Sequence, residues 1–226
     1  VWGEFPNWGL DVTRPDAVYS VLPEWLEEVE RDFNHPALIG WCPFNETWDR
    51  DHRKQDDNVL RAVYLATKSA DPTRPCIDTS GNYHVVTDIY DVHDYEQNVE
   101  VFKNHYDELA NGGELWDQVN HRGTGVRQQY DGKLPVFISE YGGIGWTKEE
   151  KAWGYGNMPK SEEEFIERFR GLTSAILDNP RIMGLCYTQL TNVEQEQNGL
   201  YTYDRQPKFD VKIFKEILTQ KAAIED

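Results

Sequence analysis

Two glutamates stand out because each follows an apolar, strand-like run and precedes a polar loop. Glu46 closes the run Ala37–Glu46, and Glu140 closes the run Leu134–Glu140. A carboxylate is costly to remove from water, so an acid at the end of a buried strand indicates a use for it. The carboxyl ends of parallel strands meet at one edge, which predicts a shared pocket for both acids. Two facing carboxyl groups are what the cleavage of a glycosidic bond requires.

Three polar neighbours extend this candidate site. Asn45 directly precedes Glu46, and a side-chain amide there can hold a sugar hydroxyl beside the bond that breaks. His93 and Tyr95 stand at the end of another strand-like run, where they can contact a substrate or orient a catalytic carboxylate. For each residue the alternative is structural: a loop cap for a glutamate, or ordinary packing for a histidine.

Aromatic side chains are candidates for stacking on sugar rings. We include Trp146 in the predicted substrate site, with Trp8, Trp48 and Trp153 as further candidates and core packing as the alternative. Trp41, inside an apolar run, is interpreted as core.

Metal and cofactor chemistry has no support in the sequence. The remaining histidines, His84, His105 and His121, are interpreted as structural or surface residues. No cluster of His, Asp or Glu has metal-ligand spacing, and no phosphate-binding glycine loop or Gly-x-Ser-x-Gly motif occurs. We predict no metal and no cofactor.

Composition narrows the class of protein. The 226 residues carry a net charge of −17, which argues against nucleic acid and anionic membranes as partners because both attract a basic surface. Eight Trp, twelve Tyr and nine Phe provide enough apolar area for one large domain over residues 1–226. Cys42, Cys76 and Cys186 lie in strand-like runs and are predicted to be buried thiols. No apolar run reaches membrane-spanning length, and the sequence leaves localisation open.

Strand-like runs alternate with helical patterns, which predicts an α/β fold with a parallel sheet covered on both faces. The long connection 94–133 is typical of a segment that builds a substrate site. Six strands are predicted where a closed (β/α)8 barrel needs eight. Either two strands lie in segments predicted as loops or the chain begins part-way through a barrel, and the strand-like segment at residue 1 favours the second expectation. The predicted strands cover 1–4, 37–46, 76–79, 88–93, 134–140 and 182–189, and the predicted helices cover 18–33, 58–70, 99–110, 161–178 and 211–220.

Three segments resemble glycoside hydrolase family 2, the group of β-galactosidases, β-glucuronidases and β-mannosidases. Residues 34–46, from Asn34-His35-Pro36 to Asn45-Glu46, resemble the acid/base segment of that family, and 136–142 is similar to its nucleophile strand. Residues 187–205 are similar to the segment that follows the last barrel strand, and this third match is the most family-specific.

The resemblance implies a (β/α)8 TIM barrel that lacks strands one and two here and follows N-terminal β-sandwich domains in the whole protein. It assigns Glu46 as general acid/base, Glu140 as nucleophile and Asn45 as the partner of the sugar 2-hydroxyl, with His93 and Tyr95 lining the site. Cys42-Pro43-Phe44 departs from the more polar run of many members, which leaves the glycone open.

The resulting hypothesis is a retaining β-glycosidase, β-galactosidase-like, acting on a carbohydrate substrate. The hypothesis concerns the whole protein, and it allows the partial barrel itself to be inactive. The alternatives are a non-catalytic carbohydrate-binding barrel and a β-glucanase or β-mannosidase of the same barrel clan.

Overall fold

The computed structural model describes residues 1–47, 49–50, 53–81, 83–116, 127–149 and 151–226. Strands and helices alternate along most of the chain, as the sequence predicts. The elements are β1 (Trp2–Glu4), α1 (Val18–Asp32), β2 (Gly40–Cys42), β3 (Asp49–Arg50), β4 (Arg53–Lys54), α2 (Asp57–Ala70), β5 (Tyr90–Asp94), α3 (Val99–Ala110), β6 (Val136–Gly142), α4 (Glu162–Leu177), β7 (Ile182–Thr188) and α5 (Val211–Leu218). Short 3-10 helices lie at Pro15–Ala17 and Ala223–Glu225.

The helices follow the sequence closely because side-chain caps define their first residues. α3 begins and ends as predicted, and the other four helices agree within two residues. Asn98 caps α3 by accepting from the amides of Glu100 and Val101, and Ser161 caps α4 by accepting from Glu164. The Glu164 carboxylate in turn accepts from the amide of Lys160, just before the cap.

The strand predicted over 37–46 is wrong in extent, because β2 covers only Gly40–Cys42. Pro43 has no amide hydrogen, so the regular hydrogen bonding of the strand stops there. The strand predicted over 76–79 is replaced by separate parallel bridges, Trp41 with Cys76 and Asn45 with Ser80. The amide of Ser80 donates to the carbonyl of Phe44 at 2.9 Å, so the two segments still run side by side.

The described structure divides into two compact units, and the first holds Val1–Val92 with the described part of 117–135. β1 pairs with β2 in parallel, and Gly3 lies opposite Trp41. Trp25 from α1 packs edge-on against Trp41 from β2, with ring centroids 5.7 Å apart. Each indole N–H has a buried partner, Thr67 Oγ1 and Asp71 Oδ2 respectively, so these large rings are buried without losing a hydrogen bond. Trp41 is therefore core, as predicted.

The second unit holds His93–Trp116 and Val136–Asp226. β6 and β7 are parallel neighbours, and the end of β5 belongs to the same three-stranded sheet, in the order β5-β6-β7. The Tyr141 hydroxyl bonds Thr173 Oγ1 on α4 at 2.8 Å, which ties the helix to the strand.

The cysteine prediction is confirmed for two residues and wrong for the third. Cys42 and Cys76 are buried, and burial raises the pKa of both thiols, so they remain neutral. Cys186 is exposed, because the side chains of β7 are only partly covered. Within the described residues, no helix is both long enough and apolar enough to cross a membrane.

Candidate active site

The Asn45-Glu46 pair lies in a loop after β2. Glu46 has φ 47°, in the left-handed region that residues other than glycine rarely adopt. Such a conformation costs of order 1–3 kcal/mol and persists only where the surrounding structure enforces it. The amide of Glu46 donates to the carbonyl of Ser80 at 2.9 Å, and this bond fixes the turn. The strained backbone sets the direction in which the carboxylate leaves the chain.

Asn45 is held by two residues that the sequence analysis did not select. Its amide donates to Asn7 Oδ1 at 2.6 Å, and its carbonyl accepts from Asn7 Nδ2 at 3.0 Å. Its side-chain Oδ1 accepts from the hydroxyl of Ser80 at 2.9 Å. Asn7 and Ser80 are both buried. No periodic signal marks either residue, because each acts through one contact far away in sequence.

A small pocket adjoins Glu46 inside the first unit. It is lined by residues 7–13, Glu46, Thr47 and Gln55. The Thr47 hydroxyl bonds the side chains of both Gln55 and Thr79, and Gln55 Nε2 donates to the carbonyl of Tyr83 at 3.0 Å. This network of hydrogen bonds fixes the side chains of Thr47 and Gln55, which line the pocket beside Glu46.

Glu140 lies inside β6, two residues before its end, rather than closing the strand as predicted. Its Oε2 accepts a hydrogen bond from the Tyr95 hydroxyl and lies 3.3 Å from Nδ1 of His93. The structure thus brings together three of the predicted site residues within the second unit. Two groups on one carboxylate oxygen orient it, and a hydrogen bond donated by a phenol stabilises the ionised form.

Tyr95 is rigidly placed for this contact. Its ring stacks on Tyr155 with centroids 3.6 Å apart and an interplanar angle of 5°. Burial, followed by the charge of Glu140, raises the pKa of Tyr95 far above its usual value, so the phenol keeps its proton and stays a donor. Gln97 Nε2 donates to the carbonyls of both Tyr95 and Gly142, which ties this loop to β6.

The two glycines after Glu140 make room for aromatic rings. Gly142 and Gly143 have φ of 82° and 60°. A Cβ on Gly142 would lie 2.3 Å from the ring of Tyr187, and one on Gly143 would lie 2.4 Å from the ring of Tyr155. The space beside them is filled by Tyr155, which stacks on Tyr95, and by Tyr187, which packs edge-on against Tyr141.

Asp94, between His93 and Tyr95, anchors their segment. It is buried, and its carboxylate accepts from the Tyr106 hydroxyl at 3.0 Å and lies 2.8 Å from Nδ1 of His105. Both partners are on α3, so this pair of contacts fixes the end of β5 against the helix. His105 therefore has the structural role that its sequence predicted, while His121 lies outside the described residues.

The predicted aromatic platforms differ in their surroundings. Trp146 is half-buried and packs against Phe165 and Phe209, with ring centroids 5.9 and 5.7 Å away. Trp8 is 59% exposed and Trp153 is 46% exposed. Trp48 lies outside the described residues. Their role in substrate binding stays a prediction, as does the absence of a metal or cofactor.

The segment after β7 folds back on itself and pairs with the loop after β6. Gln197 donates to the carbonyl of Trp153, and its own carbonyl accepts from the amide of Trp146 at 3.0 Å. Lys208 donates to Asn192 Oδ1 at 2.9 Å, and burial lowers the pKa of Lys208 to about 8. Asn192 Oδ1 also accepts from the amide of Gly199, so one asparagine closes this loop.

Comparisons with known proteins identify the family. The profile described as "Glycosyl hydrolases family 2, TIM barrel domain" matches residues 6–222. The chain belongs to glycosyl hydrolase family 2. The match confirms both the family and the TIM-barrel class predicted from the sequence. No curated protein sequence matches the chain.

Solved structures of similar fold include β-glucuronidases that are 16–18% identical to this chain. The FMN-binding β-glucuronidase from Facaelibacterium prausnitzii L2-6 has a TM-score of 0.68 and 18% identity, over 98% of this chain and 35% of its own. The Bacteroides uniformis β-glucuronidase has a TM-score of 0.65 and 16% identity, over 92% of this chain and 26% of its own. The β-glucuronidase of an uncultured Clostridium sp. has a TM-score of 0.64 and 18% identity, over 96% of this chain and 39% of its own. The chain thus spans 26–39% of the length of these proteins.

Proposed function

We propose that the protein is a retaining β-glycosidase in which Glu140 is the nucleophile and Glu46 the general acid/base. The observation that carries the proposal is the environment of Glu140. Its carboxylate is oriented at one oxygen by Tyr95 and His93, on a chain that belongs to glycosyl hydrolase family 2. A nucleophilic carboxylate has to be ionised and aimed, and a neutral phenol that donates to it serves both needs.

The proposed reaction has two displacements. Glu140 attacks the anomeric carbon while Glu46 donates a proton to the leaving oxygen, which gives a glycosyl ester on Glu140. Glu46 then takes a proton from water as the water attacks the same carbon, and Glu140 leaves as a carboxylate. Asn45 contacts the 2-hydroxyl of the sugar, where hydrogen bonds strengthen in the transition state.

For the glycone we propose a neutral sugar, with β-galactosides first. The net charge of −17 supports this choice, because a negative surface field repels an anionic substrate as it approaches. β-Glucuronides are the main alternative, because the structurally similar proteins are β-glucuronidases. β-Mannosides and β-glucans are the other sugars to test.

A non-catalytic carbohydrate-binding barrel is the competing function. The presence of both acids disfavours it, since a binding protein has no need of a paired nucleophile and acid. The two functions differ in one measurement, the release of p-nitrophenol from a panel of β-glycosides. We expect release by a form of the protein that includes any flanking domains, with the 226-residue chain assayed in parallel. Sugar binding without release by the longer form would favour the alternative.

Azide separates the roles of the two acids. Glu140→Ala and Glu46→Ala should each lower kcat by about a thousandfold or more, whereas the exposed control Glu27→Ala should leave it unchanged. With azide, Glu140→Ala should form an α-glycosyl azide, since azide replaces the nucleophile and inverts the anomeric carbon once. Glu46→Ala should form the β-glycosyl azide, since azide attacks the glycosyl ester in a second inversion. A loss of kcat below tenfold in either variant, or azide products of the opposite anomeric configuration, would contradict the roles assigned to Glu140 and Glu46.

A further inference from the structure

Ser80 is a buried hydroxyl beside the proposed sugar-binding amide. Its Oγ donates to Oδ1 of Asn45 at 2.9 Å. Because the oxygen and nitrogen of an amide point about 120° apart, engagement of Oδ1 fixes the direction of Nδ2 as well. The hydroxyl of Ser80 thus meets the oxygen end of the amide, and Nδ2 points away from it.

The backbone around Ser80 is itself fixed. Its amide donates to Phe44 and its carbonyl accepts from Glu46, both at 2.9 Å. The amide of the next residue, Gly81, donates to Oδ2 of buried Asp91 at 3.1 Å. Because the backbone of Ser80 is already fixed by these hydrogen bonds, its side chain loses little further conformational entropy when it bonds Asn45.

We propose that Ser80 is a positioning residue that sets the amide of Asn45 so that Nδ2 donates to the 2-hydroxyl of the substrate. The proposal rests on the proposed function and adds to it the origin of the amide's orientation. Without the Ser80 hydroxyl, Asn45 can rotate and turn Oδ1 toward the sugar. That orientation replaces a donor with an acceptor at the hydroxyl that the transition state uses most.

The test compares one p-nitrophenyl β-glycoside with its 2-deoxy analogue, using the best glycone of the panel. Ser80→Ala should lower kcat/KM about tenfold for the 2-hydroxy substrate, the value of one hydrogen bond. It should change kcat/KM less than about twofold for the 2-deoxy substrate, because the contact in question is absent there. Ser80→Cys, which keeps the shape but donates weakly, should show the same difference between substrates.

Two controls separate positioning from general damage. Thr79→Val removes the neighbouring buried hydroxyl, which bonds Thr47 rather than Asn45, so any loss should be equal for the two substrates. In an Asn45→Ala background, adding Ser80→Ala should have less than about a twofold further effect, since the residue it positions is gone.

Three results would overturn the inference. Equal losses of kcat/KM for both substrates in Ser80→Ala and Ser80→Cys would make the serine merely structural. Additive losses in the double variant would show that Ser80 does not act through Asn45. If the unsubstituted protein cleaves no β-glycoside, the proposed function fails first and this inference falls with it, whereas an active protein without the substrate difference refutes the inference alone.

Discussion

A buried histidine between two carboxylates gives the sharpest test of the structure that does not depend on the proposed function. His84 Nδ1 lies 2.9 Å from Asp78 Oδ1, and Nε2 lies 3.0 Å from Asp91 Oδ1. All three side chains are fully buried. Asp78 Oδ2 also accepts from the amides of Val85 and Val86. Nε2 also lies 3.0 Å from the carbonyl oxygen of Asp91, so this imidazole faces two acids in the core of the first unit.

The perturbation is His84→Gln, which keeps hydrogen-bonding groups of similar reach and removes the charge. Removing one partner of a buried ion pair costs about 3–5 kcal/mol, because the other charge stays buried without compensation. Here two carboxylates would remain, so the upper half of that range is expected. The matched control is His35→Gln, at an exposed histidine 3.8 Å from Asp32. An exposed pair of this kind contributes less than about 1 kcal/mol.

Urea unfolding as a function of pH provides the assay. Although burial opposes it, the hydrogen bonds and charges of the two aspartates raise the pKa of His84 well above its usual value. A group with a raised folded-state pKa stabilises the protein fully below its unfolded pKa of about 6.5, and the contribution falls as pH rises toward the folded pKa. The unfolding free energy should therefore decrease by up to about 1.4 kcal/mol per pH unit above pH 6.5 because of His84.

The interval from pH 6.5 to 8 isolates this effect. Lys208 has a pKa lowered to about 8, so its own contribution changes mainly above that pH, where it acts in the opposite direction. His84→Gln should remove the slope that the unsubstituted protein shows in this interval. An unchanged slope, or a loss of stability below about 1 kcal/mol, would show that His84 is not the charge that balances Asp78 and Asp91.

Two further substitutions test the second unit. Tyr95→Phe removes the hydroxyl that donates to Glu140 and should lower kcat about 10- to 100-fold, the value of a hydrogen bond to a charged group. The exposed control Tyr203→Phe should leave kcat unchanged. Equal kcat values for the two variants would exclude a catalytic role for the bond between Tyr95 and Glu140. Gly142→Ala should lower the melting temperature far more than Gly112→Ala, because both have φ near 80° but only the Cβ at 142 meets a ring, 2.3 Å away. Equal shifts in the two alanine variants would mean that the Tyr187 ring yields without cost.

The sequence predicts the helices well because their signals are local. The caps Asn98 and Ser161 lie within three residues of the amides they bind, and apolar spacing marks the buried face. In α1 the side chains of Val21, Trp25 and Val29 are buried, whereas Tyr19 on the same helix is 84% exposed. Helix existence is encoded within one turn, whereas the depth of each side chain depends on what packs against it.

The contacts of the candidate site are not local, and the sequence could name residues without placing them. Tyr95 reaches Glu140 across 45 positions, and Ser80 reaches Asn45 across 35. Glu140 and Tyr95 were selected because they carry chemistry at strand ends. Ser80 gave no such signal, since a serine in a polar turn is one of the commonest features of any chain.

The error in the strand over 37–46 has a physical reason that bears on the proposed function. Continuous pairing through Glu46 would alternate its side chain with those of its neighbours, on a face fixed by strand geometry. Pro43 stops the pairing, and Glu46 takes φ 47° instead. Proteins depart from local rules where a particular side-chain direction is worth the strain. The departure from a regular strand therefore supports a catalytic role for the Glu46 carboxylate. We expect Glu46→Gly to raise the free energy of unfolding, because glycine adopts this backbone conformation without strain, and to abolish activity.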